Sequence, residues 1–171
     1  MKKIVLISVI LSMAFLNFKV SAQSLDYRFH SIFIYNFTKY IQWPASQQSA
    51  DFVIGVFGNS PISEELEKIT SNKTVGTQKI VIKRFRNLSE VSDCHILFIS
   101  SNGSNNFEAV QEKLKGKSTL LITEKSGLIE KGSCINFVLQ DNKWRFQLNE
   151  AAAQNAGLKI SKELAQMATT A

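Results

Sequence analysis

Four short apolar runs constrain this chain most: FVIGVF at 52–57, KIVIKRF at 79–85, HILFIS at 95–100 and TLLIT at 119–123. Each is too short for a core helix, and most are too continuously apolar for a half-exposed strand, so they suit strands covered on both faces. Between the first two runs, Asn59-Ser60-Pro61 offers a capping side chain and a preset first helical residue. Ile62, Leu66 and Ile69 then recur along one helix face. Between the third and fourth runs, Phe107, Val110 and Leu114 do the same, and Gly116 ends the segment. Strands alternating with helices over short links imply a mainly parallel sheet between two helical layers.

The flanks complete that architecture. Phe29, Ile32, Phe33, Phe37, Tyr40 and Ile41 predict a helix over residues 25–43, stopped at Trp43-Pro44 because the residue before proline avoids helical angles. INFVLQ at 135–140 and KWRFQL at 143–148 flank Asp141-Asn142, a two-residue hairpin signal. Asn149 and Ser161 can each cap a short C-terminal helix. With 171 residues, 44% of them hydrophobic, and only eight Gly and two Pro, one well-filled domain is expected. The expected fold class is a single α/β three-layer sandwich, its sheet mainly parallel, with an antiparallel C-terminal hairpin.

The N-terminus reads differently. Lys2 and Lys3 precede an apolar run that ends near Phe18, and Val20-Ser21-Ala22 follows. Charged start, short apolar centre and small residues before the cut form a secretory signal, expected to be cleaved after Ala22. The apolar run is shorter than the roughly 20 residues that a spanning helix needs. The expected division is therefore a signal peptide over residues 1–22 and one domain over residues 23–171, with no membrane insertion after cleavage. Loss of Lys2, Lys3 and Lys19, and of no acid, leaves 17 basic residues of 20 against 14 acidic ones, so the net charge falls from +6 to +3. That is an ordinary protein surface, and no nucleic-acid partner is expected.

Reactive constellations are missing. Gly116-Lys117-Ser118 matches the tail of a phosphate-binding loop, but it closes a helix and opens a strand, the reverse of what such a loop requires. Gly58 lacks the companion glycines of a dinucleotide fingerprint. Cys94 and His95 are neighbours on a strand and face opposite ways, so they cannot share a proton. His30 falls beside the aromatic stripe of the first helix and reads as a partly buried amphipathic residue. Two His and two Cys stand in no metal-ligand spacing. No catalytic residue, no cofactor and no metal is expected from this pattern.

Cys94 and Cys134 raise a disulfide, because an exported chain meets an oxidising compartment. If the strands are ordered 2-1-3-4-5, another strand separates the two, at roughly 9–10 Å. Bridged Cα atoms stay within about 7 Å. Another strand order would let them join, and the pairing stays open. Lys79, Lys83, Arg84 and Arg86 cluster around the second run. They either guard an edge strand against unwanted pairing or present a surface to an acidic partner or lipid head groups.

Taken in order, 33-FIYNFTKYIQWP-44, 52-FVIGVFG-58, 94-CHILFIS-100 and 145-RFQLNEAAAQNAGLKIS-161 resemble the YfiR-like family of exported bacterial proteins. The resemblance implies a non-enzymatic periplasmic regulator that binds the periplasmic part of an inner-membrane diguanylate cyclase or histidine kinase, with consequences for cyclic di-GMP signalling and biofilm growth. It also implies that Cys94 often has a partner cysteine near position 55, where this chain has Gly55. Under this reading Tyr35, Tyr40 and Trp43 are candidate partner-binding anchors, and a homodimer is compatible with it. The alternative is a periplasmic small-molecule-binding module whose ligand sits among the loops after Phe57, Ser100 and Thr123.

Overall fold

The computed structural model describes residues 18–47 and 51–169, with side chains described from Tyr27 onward. Of the expected export segment only residues 18–22 lie within the described part. In chain order the elements are α1 (Phe18–Tyr40), β1 (Ile41–Gln42), β2 (Phe52–Phe57), α2 (Ile62–Thr70), β3 (Thr74–Val75), β4 (Gln78–Phe85) and β5 (Ile96–Ile99). There follow α3 (Phe107–Lys113), β6 (Leu120–Thr123), β7 (Ile135–Gln140), β8 (Lys143–Leu148), α4 (Glu150–Asn155), β9 (Lys159–Ile160) and α5 (Lys162–Met167).

One seven-stranded sheet runs β3-β4-β2-β5-β6-β7-β8. The five strands from β4 to β7 are parallel, and β3 and β8 close the two ends antiparallel. The expected α/β sandwich is what forms, and its parallel part has the 2-1-3-4-5 order. Burial explains the apolar runs: all four residues of β5 and of β6 are buried. Side chains alternate between faces. Phe98, Ile122 and Phe137 point toward α1, which packs against α2 and α5, while Leu97, Leu121 and Cys134 point toward α3 and α4.

The aromatic face of α1 seals the first of these layers. Phe37 meets Phe146 edge-on at 5.1 Å and lies over Phe137 at 6.2 Å. Enclosing a side chain of this size stabilises the fold by about 2–3 kcal/mol. At the hairpin, Asp141 and Asn142 have φ of 50° and 55°, the left-handed pair that a two-residue turn requires. Asn149 accepts from Ala152 N at 2.9 Å and Ser161 from Leu164 N at 3.2 Å, so both expected caps form.

One local expectation is corrected, and one short strand lies outside those expected. The first helix ends at Tyr40, before the Trp43-Pro44 pair, because Ile41 and Gln42 leave it to pair with Ile160 and Lys159. Ser161 N then donates to Tyr40 O at 2.9 Å. Helical periodicity at Ile41 could not show a strand partner more than a hundred residues away. Likewise β3 turns back on β4 through Gly76-Thr77, a two-residue pairing too short to leave a pattern.

Candidate functional site

The loops at the carboxyl ends of β2, β5 and β6 meet as open α/β sheets require. Gly58 has φ of 90°, and a Cβ there would collide with Ser100 Oγ and come within 2.7 Å of Asn102 Oδ1. Asn102 Nδ2 donates to Asn59 O at 2.7 Å, and Ser100 Oγ lies 3.0 Å from Phe57 O and 2.6 Å from Asn102 Oδ1. Ser101 N donates to Glu124 Oε1 at 2.7 Å. These loops are bonded to one another, and a cleft of about 360 Å³ lies beside Gly58, Asn59, Asn102 and Gly103.

Glu124 is the buried carboxylate of this junction. It also accepts from Tyr27 Oη at 3.3 Å, and its Oε2 lies 3.7 Å from His30 Nδ1. Burial pushes its pKa above the usual carboxylate range, and the bonds from Ser101 and Tyr27 only partly offset this. His30 is enclosed at 1% exposure, stacked on Phe137 at 4.2 Å with Trp144 edge-on at 4.4 Å. It is thus more deeply buried than its position on the helix implied. Beside them, Thr123 Oγ1 donates to Ser133 Oγ at 2.9 Å and lies 2.6 Å from the Asn136 amide. A carboxylate, a histidine and a phenol are acid–base groups in kind. Here His30 is walled in by rings, while Tyr27 and Glu124 tie α1 to the β5 and β6 loops. Nothing in the sequence marked Glu124 as buried except its place directly after a core strand.

The other residues singled out from the sequence are scattered. Tyr35 is half-buried, with Lys39 Nζ 5.0 Å and Lys73 Nζ 4.2 Å from its ring centroid. Tyr40 is half-buried and helps line a cleft of about 260 Å³ at the paired β1 and β9. Trp43 is only 7% exposed; its Nε1 donates to His95 O at 3.0 Å and its ring meets Phe52 edge-on. His95 is a structural bond-maker. Val53 N donates to its Nδ1 at 3.0 Å, which assigns the ring proton to Nε2, 2.9 Å from Gln47 O.

Cys94 and Cys134 are free, buried thiols on the same face of the sheet, with β6 between their strands. Burial, with a smaller contribution from Asp93, pushes Cys94 up to about 12, and burial pushes Cys134 up to about 11. A Cβ at Gly55 would come within 2.7 Å of Phe85 Cε2 and 2.8 Å of Leu97 Cδ1, so those side chains occupy the space of any residue there. Gly116 closes the α3 segment, and Lys117 pairs with Asp93 at 3.2 Å. Among the described residues no three His, Cys, Asp or Glu side chains gather as metal ligands, and no helix is long and apolar enough to cross a membrane.

The model of the YfiR/HmsC-like family matches residues 27–169. The chain belongs to this family. The match spans every strand of the sheet and begins at Tyr27, the residue whose hydroxyl reaches Glu124. No curated protein matches the chain. At the family level YfiR/HmsC-like proteins are periplasmic regulators that act with membrane sensor proteins.

Proposed function

We propose that residues 1–22 direct export to the periplasm and that the domain over residues 23–171 binds the periplasmic part of an inner-membrane signalling protein. That protein is a diguanylate cyclase or a histidine kinase, and the domain modulates its output without catalysing a reaction itself. Membership of the YfiR/HmsC-like family is the observation that carries this reading. The alternative, small-molecule capture at these loops, has a cleft of about 360 Å³ lined by Gly58, Asn59, Asn102 and Gly103 in its favour, and the family match favours regulation over it.

Regulation by contact needs little energy. Binding one state of a sensor tenfold better than the other shifts its balance by about 1.4 kcal/mol. Tyr35 and Tyr40 are the surface anchors we assign, and Trp43 supports them from the core. The test is the signalling output of cells with and without the exported chain. A change in cyclic di-GMP or in kinase-dependent transcription on deletion, reversed by the exported chain and not by a chain lacking residues 1–22, is expected. An unchanged output in both assays overturns the reading.

A further inference from the structure

One side of β4 is open. Residues 80–85 pair in register with β2, whereas β3 takes only Gln78 and Lys79 on the other side. Phe85 O accepts from Gly58 N at 3.0 Å and therefore points toward β2. Main-chain groups alternate sides along a strand, so the N–H and C=O groups of Ile80, Ile82 and Arg84 point outward. No strand of the described residues meets them. The edge carries neither proline nor bulge, the usual devices that spoil pairing.

The charges of the strand itself are all basic, with Glu90 accepting from Arg86 N at 2.8 Å just past its end. Lys79, Lys83, Arg84 and Arg86 are all exposed. Arg84 is held by Glu67 of α2 at 3.1 Å, while Lys79, Lys83 and Arg86 have no ion pair among the described residues. Half-buried Val81 and Ile82 add apolar surface, one on each face. At the end of the strand, Arg84 and Arg86 border a cleft of about 720 Å³ that Ser60, Ser63 and the acidic Glu64 also line.

We propose that the outer edge of β4 takes an extended, acidic segment of the partner protein as an added strand. The added strand would bond to the outward groups of Ile80, Ile82 and Arg84, with its carboxylates on Lys79, Lys83 and Arg86. This rests on the reading of the chain as a binding protein. The charge that accepts an acidic strand rejects a second copy, since β4 laid against its own image opposes lysine and arginine to one another. Guarding the edge against like strands and selecting an acidic one are then the same property.

The probe is an end-blocked octapeptide of alternating Glu and Val, with a Lys-for-Glu octapeptide as control, added to the full exported chain. The acidic peptide should bind saturably, slow hydrogen exchange at the amides of Ile80, Ile82 and Arg84, and leave Val81 and Lys83, already bonded to β2, unchanged. Lys83→Glu combined with Arg86→Glu should weaken binding at least tenfold with an unchanged circular dichroism spectrum, and Ile82→Pro should abolish it. Because Ile82→Pro could unfold the chain, the charge reversal decides. No saturable binding, equal binding of the basic peptide, protection elsewhere, or indifference to charge reversal overturns the proposal. So does a dimer whose formation protects the same amides. A membrane partner captured equally by wild-type and charge-reversed chains removes the edge and keeps the binding function. Protection of the edge by the peptide, with no effect of the chain on any signalling output, keeps the edge and removes that function.

Discussion

Glu124 and the two cysteines are titratable groups whose chemistry the fold alters by burial. Glu124 has its pKa raised by burial, so the folded chain holds its proton more tightly than the unfolded chain does. A raised carboxylate favours the folded state below the ordinary value of 4.5, and that contribution is lost as pH rises through the folded value. Glu124→Gln keeps an acceptor for Ser101 N and cannot ionise. The melting temperature of the wild type relative to this variant should therefore rise as pH is lowered from 7 toward 4.5. A difference that is constant with pH would show that Glu124 is not shifted. The thiols give a second expectation, because the thiolate is the reactive form. With both pushed to about 11 or higher and both buried, Cys94 and Cys134 should resist a thiol reagent in the native protein at pH 8 and titrate as two thiols after unfolding. Fewer than two after unfolding without reductant would reveal a bridge. Neither environment was legible beforehand. Glu124 opens a polar stretch, and its burial depends on Tyr27, Ser101 and His30, brought together only by the fold.

At the scale of elements, the sequence was a good guide wherever the determining interactions are local. The hairpin at Asp141-Asn142, the caps at Asn149 and Ser161, and the buried β5 and β6 all follow from neighbours within a few residues. The end of α1 and the pairing of β1 with β9 do not, since Ile41 fits the helical stripe equally well and only Ile160 makes it a strand. Asn149 illustrates how much one local residue carries. Its Oδ1 caps α4 while its Nδ2 donates to Ile129 O at 3.1 Å, joining the helix to the loop before β7. Asn149→Ala should lower stability by about 1–2 kcal/mol in urea unfolding, with the slope unchanged. A loss below a few tenths of a kcal/mol would mean that neither bond contributes.

For the molecule as a whole, the family match is what points to regulation. The sheet order puts the ion-pair-free cations of β4 at one edge, the α1 aromatics over one face, and the acid–base groups inside. The most direct test is in-cell crosslinking of the exported, affinity-tagged chain, followed by identification of what is joined to it. The account predicts a specific adduct with an inner-membrane protein that links a periplasmic segment to a cyclase or kinase segment. Recovery of the chain alone, or joined only to proteins without such a segment, would contradict it.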